Sequence, residues 1–413
     1  MSQTPPTPSS SPSPAPSPSR PTTEPSPYRR HRLAAGVVFF VQGLLFISLT
    51  TRLPQIQRRW DLDELAVSGL LLMVVLLAGL GSVAAEVVAH RASSAVVVRV
   101  GLLVAAVWFA TLLTASFFGA FVGGLAVYGL ALGLVDASSN MQAVTVEHYY
   151  GRPILPSFHA FWTAGGIAGT IVTLATADVA LGPGLLPLTL LPLLALAAPF
   201  VTTDRLPQPD AVGQVPDIPD MPDIPWRRIA LLGLAMVLFY MVDTAATTWG
   251  PVYLDGTLHA PSGLTALATL PYLVATLLAR TLGDGLVDRH GAVWLLRGSG
   301  LVAAAALSVV VFAPSWGIAV VGFTLLGASV ATIAPLSFSA AGALAGSSDP
   351  ARVDQVVARF NQFNYVGALL GAVLTGVVGA ENLRIGFAVP MVLILGIIPL
   401  AAQFSVVGRR VGR

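Results

Sequence analysis

An aspartate interrupts the apolar run GLALGLVDASSNMQAV, at position 136. Asn140 follows four residues later, one helical turn away on the same face. A carboxylate inside hydrocarbon costs at least about 2.5 kcal/mol. A protonated acid is cheaper to bury, so Asp136 facing a cavity can take up and release a proton as a solute moves. Asn140 can then orient the acid or bind the solute. The plainer alternative is a structural acid bonded to a neighbouring helix. A second acid, Asp243, shares a helical stripe with Tyr240 and Thr247 at spacings of three and four. That stripe fits solute binding or a second proton site, and it equally fits an acid near a helix end.

Two aromatic-rich stretches resemble each other. His159 and Trp162 lie in FHAFWTAGGIAG; Asn361 and Asn364 take the matching places in FNQFNYVGALLG. An indole beside hydrogen-bonding groups suits a sugar-like solute, since the ring covers an apolar face while polar groups take hydroxyls. Ordinary helix packing explains each residue singly. Gln42, Ser48 and Thr51 on one apolar run, and Thr332 and Ser337 on another, are further candidates, although Ser and Thr can simply bond their own helix backbone. Arg280, Asp284, Asp288 and Arg289 form a charged cluster read as an inner loop, with Arg352, Asp354 and Arg359 as possible partners.

Enzyme motifs are missing. Ser157 and His159 form no nucleophile elbow, and the six His have no metal-ligand spacing. There is no cysteine and no lysine, so thiol chemistry, lysine Schiff bases and a P-loop ATPase are excluded. The expectation is a non-enzyme without cofactor or metal. The net charge of +2 gives no reason to expect nucleic acid as a partner.

The elements that must hold these residues follow from composition. The chain has 413 residues, 55% apolar and 10% charged, against roughly 25% charged in soluble domains. Apolar runs of about 20 residues recur, the length of a helix crossing a bilayer. Twelve such helices are predicted, at about 33–52, 65–88, 95–115, 117–147, 156–178, 183–202, 227–252, 262–284, 292–313, 315–344, 354–379 and 383–407. Residues 1–28 form a Pro/Ser-rich tail expected to be disordered, 203–226 a polar linker, and 409–413 a short tail. With the N-terminus in the cytoplasm, 18 of the 22 Arg fall at the inner side or in the tails, and both termini are cytoplasmic. Arg52, Arg58 and Arg59 break that bias in one outer loop.

The chain also repeats itself. Phe158, Phe161, Gly165 and Gly169 recur as Phe360, Phe363, Gly367 and Gly371, offset by 202. TTRLP (Thr50–Pro54) recurs as TTWGP (Thr247–Pro251), offset by 197, and AEVVAHRAS resembles GDGLVDRHG. Matches in register argue for two homologous halves, 29–202 and 227–408, of six helices each. Parallel repeats of this kind are a transporter architecture with the solute site between the repeats. The repeated G-x-x-x-G pairs fit either a sliding seam between halves or close helix packing.

GDGLVDRHG (Gly283–Gly291) resembles the loop motif of the major facilitator superfamily. LVDASSNMQAV, SFHAFWTAGGIAG, TTWGPVYL and APLSFSAAG resemble its fucose-permease-like branch, which includes uncharacterised bacterial inner-membrane proteins. The resemblance implies an all-α polytopic fold of two pseudo-symmetric six-helix bundles, working as a monomer in a bacterial plasma membrane. It implies that the first, fourth, seventh and tenth helices surround the cavity, that Asp136 is the proton-coupling acid, and that Asp288 and Arg289 latch the cytoplasmic side. Departures occur at His90, Ser93, Asp243, Thr248, Asn361 and Asn364. The expected function is proton-coupled symport of a small polar, sugar-like solute through an aqueous pocket onto which Asp136 opens. A proton-driven exporter of amphipathic compounds, suggested by Phe39, Phe40, Phe46 and Phe338, is the alternative, and a non-transporting sensor or scaffold the second.

Overall fold

The computed structural model describes residues 26–150, 154–200, 225–345, 356, 360 and 362–406. The tail up to residue 25, most of the linker (201–224), Arg352, Asp354, Arg359 and Asn361 lie outside the described residues, as do 409–413.

Among the described residues, ten helices are long and apolar enough to cross a bilayer, and two shorter apolar helices fall where the remaining predicted spans stand. They are α1 (Ser26–Thr50), α2 (Glu64–Arg91), α3 (Ser94–Thr114), α4 (Phe118–Tyr150), α5 (Leu155–Ala175) and α6 (Pro183–Ala195). The second six are α7 (Trp226–Thr257), α8 (Leu270–His290, after a 3-10 turn at Ser262–Ala268), α9 (Ala292–Val311), α10 (Trp316–Val330 and Ile333–Ala345), α11 (Gln362–Val378) and α12 (Leu383–Val406). The fold is that of an all-α polytopic membrane protein built from two six-helix bundles. On α2, Leu76, Leu80, Val83 and Val87 are exposed in one stripe, a surface suited to lipid.

Several boundaries differ from expectation. α1 begins earlier, at Ser26, so the last residues of the predicted tail are helical. α8 runs on to His290, so Asp284, Asp288 and Arg289 stand on its last turns and not in a loop. A short helix, Leu53–Trp60, follows α1. The sixth span is a 3-10 turn joined to a short helix, because Pro183, Pro187 and Pro192 withhold backbone donors. In α7, π turns at Ala245–Trp249 and Tyr253–Thr257 flank Pro251.

The halves pack alike. α1 packs on α5 as α7 packs on α11; α2 and α3 pack on α4 as α8 and α9 pack on α10. Between the halves, α2 meets α11 and α5 meets α8. The repeated glycines lie inside each half. A Cβ on Gly165 would stand 1.9 Å from the Phe40 carbonyl oxygen, and on Gly367 2.6 Å from that of Val237. Gly169 faces Leu44 and Gly371 faces Met241 in the same way. Phe40 to Val237 and Leu44 to Met241 are both steps of 197, so the register read from TTRLP and TTWGP extends along α1 and α7. The sliding-seam reading of these glycines is therefore replaced by close packing that joins α1 to α5 and α7 to α11.

The three arginines of the first distal loop (distal meaning the end opposite the termini) each have a structural post. Arg59 donates to the carbonyls of Leu113, Ala115 and Leu181, closing the end of α3, and lies over the Trp60 ring. Arg58 pairs with Asp255 of the other half at 2.5 Å. Arg52 is buried.

Candidate functional site

Asp136 lies on α4, half-buried, and both its carboxyl oxygens are engaged. Gln42 of α1 donates Nε2–H to Oδ1 at 3.0 Å. Asn140 donates to the Asp136 backbone carbonyl at 2.9 Å and more distantly to Oδ1, at 3.5 Å. Tyr365 of α11, in the other half, donates its hydroxyl to Oδ2. The acid thus sits among three helices from both halves. The sequence placed it on an aqueous pocket; here side chains take its oxygens, because the halves meet at that level. Of the expected set, the structure brings together Asp136, Asn140 and Gln42. Tyr365 was missed, although a tyrosine next to Asn364 in an apolar run was a legible signal.

Asp243 on α7 forms the second cluster. Tyr272 of α8 donates to its Oδ1 at 2.6 Å. Arg280, two turns further along α8, is within electrostatic reach of Asp243, Tyr240, Tyr272 and His159. Tyr240 is within electrostatic reach of Asp136 as well as of Asp243. Thr247 turns away from this cluster and bonds the Asp243 backbone carbonyl at 2.8 Å. The stripe expected along α7 is thus completed from α8 instead.

Arg280 departs from its expected place. It stands inside α8, as Asp284, Asp288 and Arg289 do, and is no part of a loop. Its Nη1 donates to Thr163 Oγ1 on α5 of the other half, at 3.2 Å, and its Nε to the Ala331 carbonyl at 3.3 Å. Local sequence explains the second bond. Pro335 has no N–H to offer the carbonyl four residues earlier, so α10 breaks there and Ala331 accepts from Arg280. Arg289 is exposed, and the side chains of Asp284 and Asp288 are outside the described atoms.

Thr163 and Tyr365 are the same position of the repeat, offset by 202, and each bonds a charged side chain of the opposite half. His159 is half-buried against the edge of Phe39 at 5.5 Å, and Trp162 lies 6.3 Å from Phe46. Asn364 is half-buried on α11. Of the phenylalanines that suggested an exporter, Phe39 stacks on Phe158, Phe338 lies against Phe360, and Phe40 and Phe46 are half-buried.

No family model matches the chain. It is 27% identical over 332 residues to an uncharacterised transporter, y4wD, of Sinorhizobium fredii, covering 75% of this chain and 81% of that protein. It is 24% identical over 372 residues to an uncharacterised MFS-type transporter of Yersinia pestis, covering 88% and 93%. Among solved structures, a bacterial homologue of the lysosomal transporter Spinster superposes with a TM-score of 0.67 at 14% identity, covering 92% and 96%. The nucleoside transporter NupG superposes at 0.64 with 15% identity, covering 91% and 98%, and the Escherichia coli fucose:proton symporter FucP at 0.57 with 17%, covering 92% and 99%.

Along most of its length the chain is similar to an MFS-type transporter, and it has the fold of the solved major facilitator transporters. It is a multi-pass membrane transporter with a small-molecule solute. Asp136 and Arg280 are each held at a contact between the two halves.

Proposed function

We propose that this transporter works by alternating access as a proton-coupled symporter of a small, uncharged, polyhydroxylated solute, with Asp136 as the coupling acid and Asp243 as a second polar anchor. The observation that carries this reading is the Asp136 carboxyl bonded at once by Gln42 and by Tyr365 of the opposite half. A proton on that carboxyl turns an acceptor into a donor, so proton binding acts directly on a contact between halves.

Charge balance supports an uncharged solute. The cluster holds Asp136, Asp243 and Arg280; with one proton on Asp136 the formal charges of these three cancel. Gln42 adds a second argument, because its Oε1 is buried without a partner and a solute hydroxyl can donate to it. FucP carries fucose with protons and NupG carries nucleosides, both hydroxyl-rich. We place Asn140, His159, Trp162, Tyr240, Asn361 and Asn364 around this solute, and assign the termini to the cytoplasmic side of a bacterial plasma membrane, the chain acting as a monomer in two halves, 29–202 and 227–408.

The deciding experiment is uptake by proteoliposomes under an imposed pH gradient, with labelled hexoses and nucleosides as solutes. Asp136→Asn abolishes gradient-driven accumulation while leaving exchange of solute across the membrane. Accumulation at the wild-type level in that variant ends the coupling role.

A further inference from the structure

Arg52 is the least accounted-for charge among the described residues. It follows the last turn of α1 at the distal end and is 2% exposed. Its Nη1 donates to Gln55 Oε1 at 3.0 Å and its Nη2 to Thr176 Oγ1 at 2.5 Å, both neutral acceptors. Its Nε is buried without a partner, and so is the hydroxyl of Ser48, one turn back on α1. Among the described residues no carboxylate pairs with it. Burial lowers the guanidinium to about 10, with no opposing charge to offset the effect, so it stays protonated at neutral pH.

A buried cation held by neutral groups alone is costly. The ends of α1 and α5 lie beside it, and each helix terminus offers about half a negative charge, which offsets part of the cost. The repeat shows that the fold does not demand a charge here. In the 197 register, Arg52 corresponds to Trp249. That indole is fully buried and its one donor is used, on the Ala372 carbonyl at 2.8 Å. The second half fills the position with a neutral, satisfied side chain. The first half keeps a cation with a donor to spare.

Ser48 and Arg52 line the same narrow crevice, with a volume of about 10 Å³ that admits one small particle, and its other walls include Leu49, Ile56, Phe109, Leu112 and Phe121. Two unpartnered donors and one positive charge thus border one crevice walled mostly by hydrocarbon. Such a setting suits a single weakly hydrated monovalent anion. Phosphate or sulfate carries more charge and needs more donors than these walls supply.

We propose that Arg52 and Ser48 form a binding site for one small monovalent anion of chloride size, inside the first half and separate from the solute site. The anion neutralises the guanidinium and accepts from Nε and from the Ser48 hydroxyl. Because α1 and α5 both end at this site, its occupancy fastens the distal end of the first half.

The test is equilibrium dialysis of the detergent-purified full chain against radiolabelled chloride, with gluconate holding the ionic strength constant. The expected result is saturable binding close to one per chain, displaced by bromide and not by gluconate. Ser48→Ala removes one donor and weakens the affinity roughly tenfold; Arg52→Gln removes the binding. If Arg52→Gln does not fold, Ser48→Ala decides alone. Absence of saturable binding to the wild-type chain, or binding unchanged by Ser48→Ala, overturns the site. Transport does not enter the measurement, so the outcome is independent of the symport reading.

Discussion

Arg58 and Asp255 pair across the two halves at 2.5 Å, and they are the same position of the repeat, 197 residues apart. Equivalent residues can touch only where the pseudo-two-fold axis passes, so this ion pair marks that axis at the distal end. Its side chains are 48% and 23% exposed, and such a pair contributes about 0.2–1 kcal/mol. That is small for the fold yet useful for an equilibrium between two arrangements. Arg58→Asp sets two acids on the axis and is expected to loosen the distal end. Thr265 is a buried reporter of the same end, lining a crevice between the halves with Pro54 and Gln55. In this cysteine-free chain a Thr265→Cys probe labels faster with maleimide in the Arg58→Asp background. Exchanging the charges, with Arg58→Asp and Asp255→Arg together, returns the slow rate, because the axis makes the exchange nearly symmetric. Fast labelling of the exchanged protein would remove the pair from any role in closure.

Tyr365 holds Asp136 by its hydroxyl alone. Tyr365→Phe keeps the ring and removes the bond. A hydrogen bond to a charged group contributes roughly 1.5–3 kcal/mol. Gradient-driven uptake is expected to fall on the order of tenfold or more while the melting temperature stays near that of the wild type. Uptake equal to the wild type would show that the contact between halves at Asp136 does not govern transport.

The sequence made Asp136, Asn140, Gln42 and Asp243 legible because polar groups in apolar spans are conspicuous. Their partners were not legible. Tyr272 and Tyr365 bear ordinary side chains, and what selects them is tertiary: α11 packs on α2, and single bonds reach from α8 to α7 and from α11 to α4. Thr247 keeps the helical spacing from Asp243 that the sequence shows, and its hydroxyl bonds the Asp243 backbone carbonyl, a local bond that spacing alone does not reveal. The distal arginines broke the charge bias without a visible cause, since Arg58 finds its partner 197 residues away. The repeat was the most informative signal, and its two registers carry over to the helix contacts.

Arg280 and Asp243 are expected to depend on each other. Arg280 supplies positive charge near an acid deep in the second half. Removing one leaves the other uncompensated, whereas removing both relieves the imbalance. Thermal unfolding of the purified variants checks this: Arg280→Gln and Asp243→Asn each lower stability, and the double variant is more stable than their sum. Simple additivity would place the two in separate environments.

The glycine contacts divide sharply. Gly165→Ala drives a methyl into the Phe40 carbonyl at 1.9 Å, with backbone on both sides. Such overpacking costs typically about 1–3 kcal/mol, and a lower melting temperature or failed expression is the outcome. Gly298 on α9 meets nothing within 4 Å, so Gly298→Ala is expected to be neutral or to gain up to about 1 kcal/mol of helix propensity. Equal effects of the two would mean that α1 and α5 are less closely joined than their backbones indicate.

The bridges at Thr163 and Tyr365 trade lengths. A short hydroxyl meets a long guanidinium on one flank, and a long phenol meets a short acid on the other. Duplication has kept the reach across the gap and changed what closes it. Arginine keeps its charge throughout the physiological range, while a carboxyl can give or take a proton. In the cycle proposed above, a proton arriving at the carboxyl acts on one flank only, and a body held at two matched points but released at one is made to turn.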